Sequence, residues 1–258
     1  MRTKPLVIIK IGTNILTTDE NKLDLNNMRS LVDQISAQLN TYRIVMVSSG
    51  AVTCGSEELE IRAKTIPDKQ AAAAVGQIML MSEYTTFFKL HGKTVGQILL
   101  TKDILIDQVR RTNSCNTIFK LLEMGAVPII NENDSVATDE IRFGDNDELS
   151  AMVAQLTQAE RLIILTDIDG VFTGNPKHNK KAALVQKLEK INEKTFALIE
   201  DSDNGKSRGG MKSKLMAAKE ASEAGIDVTI ANGRRNHIIR DVLTGKATAT
   251  YIQRHAHD

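Results

Sequence analysis

The sequence predicts an α/β fold built on a mostly parallel β-sheet with helices on both faces. Apolar runs of strand length alternate with segments whose apolar residues recur at helical spacing, and this β-α-β order is typical of parallel sheets. The runs are continuously apolar, as expected of strands that are covered on both faces. The chain has 258 residues, 41% hydrophobic and 25% charged, which is the balance of a globular protein with a sizeable core.

The first half of the chain supplies four of the predicted strands. They are Leu6–Ile11, Arg43–Val47, Val95–Leu100 and Ala126–Ile130. An apolar face at helical spacing predicts a helix between the first two strands, through Met28, Leu31, Val32, Ile35 and Leu39. Further helices are predicted over Asp68–Leu90 and over Asn116–Glu123, the second of which ends at Gly125. Ser135–Phe143 has the pattern of a short hairpin or excursion.

The second half continues the alternation without a linker or repeat, so we predict a single domain over residues 1–258. The predicted helices are Asp147–Gln158, Glu193–Glu200, Met211–Ala224 and His237–Leu243. The predicted strands are Arg161–Thr166, Asp227–Ala231 and Thr248–Ile252. A charged loop is predicted over residues 177–181.

Charge and cysteine content argue against several classes of protein. The 33 basic and 32 acidic residues give a net charge of +1, so no overall field for nucleic acid is expected. Cys54 and Cys115 lack the spacing of a disulfide framework or a zinc site, which favours a reducing compartment. No stretch approaches the ~18 apolar residues that span a bilayer. We therefore expect a cytoplasmic protein with no membrane or nucleic-acid partner.

Ligands of parallel sheets bind at the carboxyl ends of the strands, so the residues that follow each strand are candidate site residues. The first strand ends in Lys10, which either meets an anion or reaches solvent, and Gly12 lets the backbone approach a ligand. The second strand ends in Ser48-Ser49-Gly50. These small residues suit a bound carboxylate, although an ordinary strand-to-helix turn would use them too.

Acidic and amide residues follow the fourth and fifth strands. All five residues from Asn131 to Ser135 are polar, more than a simple turn needs, and Asp134 would suit a substrate ammonium group. Asp-Asn-Asp at 145–147 opens a helix, and helix capping accounts for only one of these residues. Asp167 and Asp169 follow the fifth strand, where they could contact a ribose or simply order the turn.

A glycine-rich basic segment, residues 206–214, opens a later helix. Paired glycines, exposed amides, the positive end of a helix dipole and several cations together suit a phosphate group. The alternative is a flexible, solvated basic loop. The segment does not match the GxxxxGK[ST] pattern, so it is not a P-loop of that class.

Taken together, six segments resemble the amino acid kinase family. In chain order they read VIIKIGT, VSSGAV, INENDSV, FGDNDELSA, LTDIDGV and GGMKSK. Each is modest alone, but the six in this order, within a match from Lys10 to about Gly245, are specific. The NEND and GDND elements resemble the branch of the family that phosphorylates the γ-carboxylate of glutamate.

The resemblance implies an αβα sandwich with the substrate side mainly in residues 1–150 and the nucleotide side mainly in 160–258. It implies that Lys10 and Lys214 stabilise the transferring phosphoryl group and that Asp147 orients both lysines. The implied glutamate-binding residues are Ser49, Gly50, Asp134 and Asn146. The implied nucleotide-binding residues are Lys10, Thr166, Asp167, Arg208, Gly209, Gly210, Met211, Lys212, Ser213 and Lys214. Mg-ATP is the implied phosphoryl donor, with Mg²⁺ held mainly by the ATP phosphates.

The implied reaction forms glutamyl 5-phosphate, which is the first step of proline biosynthesis. The resemblance also implies that the protein is a homodimer or homotetramer and that proline inhibits it. A carboxylate is already ionised at neutral pH, so no general base is needed. Two departures from the family are notable. Arg208 stands where relatives often have a small hydroxyl residue, and the chain ends at Asp258 where many relatives continue into a PUA domain.

Two other functions remain open at this point. One is a sibling kinase that acts on acetylglutamate, aspartate, carbamate or a nucleotide. The other is a nucleotide-binding regulator without turnover, which the joint presence of Lys10, Asp147 and Lys214 disfavours.

Overall fold

The computed structural model describes residues 4–137, 146–174, 179, 181–200 and 210–255. The strands are Leu6–Ile11 (β1), Arg43–Val47 (β2), Val95–Leu100 (β3), Val127–Glu132 (β4), Arg161–Thr166 (β5), Lys187–Leu188 (β6), Asp227–Asn232 (β7) and Ala249–Ile252 (β8). The α-helices are Thr13–Leu16 (α1), Leu25–Ser36 (α2), Ala51–Glu58 (α3), Ile66–Leu90 (α4), Gln108–Glu123 (α5), Asn146–Leu156 (α6), Glu193–Glu200 (α7), Met211–Glu223 (α8) and Ile238–Leu243 (α9). A 3₁₀ helix, Lys102–Leu105, lies between β3 and α5.

These strands form one sheet in the order β3-β4-β2-β1-β5-β7-β8-β6. Neighbouring strands run parallel, except that β7 and β8 pair antiparallel. The arrangement confirms the predicted α/β class and the mainly parallel sheet. Because β1 lies between β2 and β5, the loops that follow these three strands meet at one edge of the sheet.

The side chains of β1 alternate between two apolar clusters, one on each face of the sheet. Leu6 and Ile8 belong to a buried cluster that includes residues of α5, α6 and α8. Val7, Ile9 and Ile11 belong to a second buried cluster that includes residues of α2, α4 and α9. Helices therefore cover both faces, which is the expected αβα layering.

The predicted end of the fourth strand is wrong. β4 does not stop at Ile130 but continues through Glu132, because Asn131 and Glu132 pair with Leu99 and Leu100 of β3. Two residues assigned to a polar loop are thus held in the sheet. Both side chains are buried there.

Some helices also differ from the prediction. α5 begins well before Asn116, because the Asp107 carboxylate accepts hydrogen bonds from the backbone N–H groups of Val109 and Arg110. α3 is a helix that the pattern analysis does not predict. The short elements α1 and β6 and the 3₁₀ helix likewise have no predicted counterpart.

α3 and α4 pack backbone against backbone. A Cβ atom at Gly55 would lie 1.8 Å from the carbonyl oxygen of Ala72, and one at Gly76 would lie 1.9 Å from that of Ala51. No side chain fits at such distances, so glycine is required at both positions. This contact fixes α3, whose amino terminus follows β2 at the edge of the sheet where the site lies.

Part of the predicted chain organisation lies outside the described residues. The excursion over Ser135–Phe143 is described only at residues 135–137, and the charged loop over 177–181 only at residues 179 and 181. Among the helices whose placement is described, none has the length and apolar character needed to cross a bilayer. The single domain over residues 1–258, with its substrate and nucleotide sides, stays a prediction.

Candidate active site

Lys10, Asp147 and Lys214 meet at the carboxyl end of β1. Lys10 is the penultimate residue of β1, and the other two lie in the first turns of α6 and α8. The Nζ atom of Lys10 lies 2.5 Å from Oδ1 of Asp147, and that of Lys214 lies 3.0 Å from Oδ2. The carboxylate therefore binds one lysine with each oxygen. We refer to these three residues as the lysine–aspartate cluster.

The lysine–aspartate cluster is buried, with 2%, 0% and 6% of Lys10, Asp147 and Lys214 exposed. Burial opposes ionisation of the carboxyl group, but the charges of Lys10 and Lys214 outweigh it and lower the pKa of Asp147 to about 2. At neutral pH the three side chains together carry one net positive charge. Buried charge of this kind is costly and is concentrated at functional sites, where it suits an anionic ligand.

Gly12 keeps space open beside this charge. A Cβ atom at this position would lie 3.7 Å from the Nζ atom of Lys10 and 3.2 Å from the carbonyl oxygen of Leu165. A side chain here would be tight against that carbonyl oxygen and in ordinary contact with the ammonium group. The interpretation that Gly12 permits close approach of a ligand stays a prediction.

A second polar cluster surrounds Asn146, the residue before Asp147. Its Nδ2 atom donates to the carbonyl oxygen of Ser48 (2.7 Å), to Oγ of Ser49 (3.1 Å) and to Oδ1 of Asn131 (2.8 Å). Its Oδ1 atom is buried and has no hydrogen-bond partner among the described residues. An unsatisfied buried acceptor is suited to a ligand that donates a hydrogen bond.

The remaining residues of the predicted glutamate site lie on the same edge of the sheet. Gly50 has a φ of 95° at the start of α3, a left-handed conformation that favours glycine. Asp134 is partly buried in the turn that follows β4. The structure thus brings Ser49 into contact with Asn146 and places Gly50 and Asp134 at the ends of the neighbouring strands.

The residues after β5 form a separate hydrogen-bonded group. The Thr166 hydroxyl donates to Oδ1 of Asp167 at 3.2 Å. Asp169 accepts two hydrogen bonds from the Arg235 guanidinium, at 2.7 and 2.5 Å. These hydrogen bonds lower the pKa of the Asp169 carboxyl group. Of the two roles considered for Asp169, this contact favours the ordering of the turn.

The start of α8 is described from Gly210 onward, and Arg208 and Gly209 lie outside the described residues. Met211 is partly buried and packs on the apolar cluster that includes residues of α6 and α8. The Ser213 hydroxyl lies 2.9 Å from Oδ2 of Asp147 and 2.9 Å from the carbonyl oxygen of Gly210. Lys212 is exposed. The nucleotide-binding role of this segment stays a prediction.

The comparison with protein families decides the classification. A model of the amino acid kinase family matches residues 5–232 of the chain. The chain belongs to the amino acid kinase family. The resemblance identified in the sequence is confirmed.

Curated relatives of this family member cover nearly all of its length. The glutamate 5-kinase of Clostridium tetani is 42% identical over 95% of this chain and 93% of its own. That of Clostridium acetobutylicum is 43% identical over 92% and 90%. The glutamate 5-kinase of Syntrophus aciditrophicus is 44% identical over 95% of this chain, which spans 64% of that relative.

Solved structures of other amino acid kinase family members share the fold. Carbamate kinase from Giardia lamblia bound to AMP-PNP matches with a TM-score of 0.70 and 15% identity, over 98% of this chain and 99% of its own. UMP kinase from Ureaplasma parvum matches with a TM-score of 0.68 and 18% identity, over 97% and 99%. At these identities the likeness concerns the fold alone.

Sequence reasoning did not single out Tyr84 and Gln77, two side chains that support the site of this kinase family member. Ser48 shares a buried hydrogen bond of 3.1 Å with the Tyr84 hydroxyl, and burial raises the pKa of that tyrosine. Asn131 bridges Asn146 and Gln77. Asn131 opens the run of five polar residues that the sequence analysis noted after the fourth strand. Tyr84 and Gln77 lie within a long helix and carry no such signal.

Proposed function

We propose that the chain transfers the γ-phosphoryl group of ATP to the γ-carboxylate of L-glutamate, giving glutamyl 5-phosphate, the first step of proline biosynthesis. The observation that carries the proposal is the buried lysine–aspartate cluster next to Asn146, whose Oδ1 atom lacks a hydrogen-bond partner among the described residues. The glutamate 5-kinases of two Clostridium species, 42% and 43% identical over most of both chains, support this choice of substrate.

The reaction requires charge stabilisation more than proton transfer. A carboxylate and a triphosphate repel each other, and the ammonium groups of Lys10 and Lys214 would offset that repulsion at the transferring group. Asp147 would act as the positioning residue, because each of its oxygens binds one lysine. The acceptor carboxylate is already ionised, so the site needs no general base.

Mg²⁺ fits this site as a companion of ATP. Both carboxylate oxygens of Asp147 contact lysines, so that side chain would hold the lysines rather than a metal ion. The phosphate groups of ATP offer the oxygen ligands that Mg²⁺ prefers, and the bound ion would reduce their charge. The nucleotide would lie between the end of β5, at Thr166 and Asp167, and the start of α8 at residues 210–214.

Glutamate would bind on the other side of β1. Its ammonium group would donate to Oδ1 of Asn146, which lacks a partner among the described residues, and would be attracted by the Asp134 carboxylate. The Ser49 hydroxyl and the backbone at Gly50 would bind the α-carboxylate. This orientation directs the γ-carboxylate toward the lysine–aspartate cluster.

The decisive experiment is ATP turnover with glutamate, trapping the acyl phosphate as a hydroxamate with hydroxylamine. Glutamate should give hydroxamate in step with ADP release. A panel of N-acetylglutamate, aspartate, carbamate and UMP should release far less ADP. Preference for one of the panel compounds would show that this compound, and not glutamate, is the phosphoryl acceptor. Nucleotide binding without turnover of any substrate would indicate a regulator.

Regulation and assembly belong to the same proposal. Proline carries the α-carboxylate and ammonium groups of glutamate, so we propose that it inhibits by occupying the region of Ser49, Asp134 and Asn146. A homodimer or homotetramer in the cytoplasm is the assembly and location implied by the family resemblance, and both stay predictions.

A further inference from the structure

Three side-chain amides form a hydrogen-bonded chain that runs from α4 to the candidate glutamate site. Oε1 of Gln77 accepts from Nδ2 of Asn131 at 2.8 Å, and Oδ1 of Asn131 accepts from Nδ2 of Asn146 at 2.8 Å. Asn131 is 1% exposed, and Gln77 is partly buried on α4. We call Gln77, Asn131 and Asn146 the amide chain.

Backbone groups fix the direction of the amide chain. The N–H of Glu132, which can only donate, lies 2.9 Å from Oδ1 of Asn131. The carbonyl oxygen of Ser48, which can only accept, lies 2.7 Å from Nδ2 of Asn146. Asn131 must therefore turn its NH₂ group toward Gln77, and Asn146 must turn its buried oxygen away from Ser48 and Asn131.

Gln77 supplies the acceptor that this direction requires. Without it, the NH₂ group of buried Asn131 would lack its partner, and a buried donor left unsatisfied drives the side chain toward another geometry. Rotation of Asn131 would bring its NH₂ group toward that of Asn146 and loosen the Asn146 amide. Gln77 thus acts on the site through Asn131, without itself reaching the open atom.

We propose that Gln77 is a positioning residue that, through Asn131, holds Oδ1 of Asn146 toward the ammonium group of the substrate and so favours glutamate over dicarboxylates that lack an amino group. The inference rests on the proposed function. It assigns part of the substrate selectivity to a residue of α4, which lies outside the lysine–aspartate cluster.

The test compares L-glutamate with glutarate, which has the same carbon chain and both carboxylates but no ammonium group. For Gln77→Met we expect the KM for glutamate to rise roughly tenfold, the loss of one well-aligned hydrogen bond to a charged group. The Ki of glutarate as a competitor and the KM for ATP should stay within about twofold of wild type on the same basis. Gln77→Glu keeps an acceptor at this position and should retain most of the glutamate affinity.

Gln34→Met is the matched control. Gln34 is also partly buried, and its Oε1 also accepts one hydrogen bond, from the N–H of Ile239, but it lies between α2 and α9 and contacts no residue of the amide chain. Both KM values should match wild type in this variant. If Gln77→Met does not fold, Gln77→Asn, whose side chain is too short to reach Asn131, replaces it.

The outcomes separate this inference from the proposed function. A selective loss of glutamate affinity, restored in Gln77→Glu, supports the positioning role. Equal losses of affinity for glutamate and glutarate would mean that Gln77 only supports the structure, and this result would overturn the inference. Unchanged values of the KM for glutamate and the Ki of glutarate would overturn it too. Wild-type enzyme that yields no hydroxamate from glutamate would overturn the proposed function itself, and the inference with it.

Discussion

The lysine–aspartate cluster places three charged side chains where a protein interior disfavours each of them. Asp147 resolves this by contacting a lysine with each oxygen, while Ser213 adds a hydroxyl 2.9 Å from one of them. The side chains are thus held in place before any substrate arrives. Preorganised charge of this kind lowers a barrier because no reorganisation is needed during the reaction.

The first prediction concerns the two lysines. Lys10→Ala and Lys214→Ala should each lower kcat by roughly 10²-fold or more, as the loss of other preorganised electrostatic groups does. Steady-state kinetics on variants with wild-type circular dichroism measures the effect. Lys219→Ala, on the same helix and partly exposed in a pair with Glu223, is the control and should retain full activity. A folded Lys214→Ala enzyme with near-normal kcat would contradict the assignment.

The lowered pKa of Asp147 gives a prediction about acid stability. Because its pKa in the folded state lies below the unfolded value, the ionised carboxylate stabilises the fold fully above about pH 4. That contribution is lost as the pH falls through about 2, the folded-state pKa. Urea unfolding of wild type and Asp147→Asn should therefore differ most near neutral pH and converge toward pH 2. A difference that is independent of pH would show that the charge of Asp147 does not matter for folding.

At the scale of elements, the contact between α3 and α4 fixes the position of α3 and so of the predicted glutamate-binding residues at its start. Gly55 and Gly76 let the two helix backbones touch, and α3 starts directly after Ser49 and Gly50. The substrate side of the site is therefore held by a helix pair in which neither glycine can carry a side chain.

Gly55→Ala tests this contact. The added Cβ would collide with the carbonyl oxygen of Ala72, so we expect a loss of roughly 3 kcal/mol in the free energy of unfolding. Chemical denaturation measures it. Gly174→Ala is the control, since among the described residues its Cβ would meet only the flexible side-chain amide of Asn179, at 3.3 Å, and should cost little. Equal stabilities of the two variants would mean that α3 and α4 can separate at low cost.

The contrast between predicted and observed elements has a physical explanation. Strands β1, β2 and β5 were predictable because each is a largely apolar run buried between helices. α3 was not, because it packs through glycine and backbone rather than through an apolar stripe. β4 extends beyond its apolar run because the ladder with β3 pairs the backbone of Asn131 and Glu132 whatever their side chains.

The candidate site divides in the same way. The meeting of Lys10, Asp147 and Lys214 followed from their positions at strand and helix ends and from the family resemblance. The Asn131–Gln77 hydrogen bond joins residues 54 positions apart, one of them in the interior of a helix. A single sequence carries no periodicity for such a pair, so only the folded chain reveals it.

At the scale of the whole molecule, the strand order β4-β2-β1-β5 places the predicted glutamate-binding residues on one side of β1 and the predicted nucleotide-binding residues on the other. The residues that follow β4 and β2 are those assigned to glutamate, and the residues that follow β5 are assigned to the nucleotide. A ligand that mimics only glutamate should therefore compete with glutamate and not with ATP.

Proline is the ligand for that test. Initial rates at several fixed proline concentrations should show inhibition that rising glutamate at least partly relieves, because overlapping sites cannot both be filled. Asp134→Ala should weaken proline and glutamate together while the KM for ATP stays near wild type. Inhibition that glutamate never relieves would place proline at a separate site. The absence of inhibition would show that this pocket does not recognise proline.

Asn146 and Asp147 are consecutive residues on the first turn of α6, yet Asn146 belongs to the amide chain and Asp147 contacts the two lysines. A ligand that draws on Asn146 cannot shift it without shifting the backbone of Asp147. Occupancy of one substrate side should therefore change affinity at the other, and linkage makes the factor equal in both directions. Calorimetric titration of a non-hydrolysable ATP analogue with and without glutamate, and of glutamate with and without the analogue, should give the same ratio of Kd values. A ratio of one in both titrations would mean that the first turn of α6 deforms freely between these neighbours.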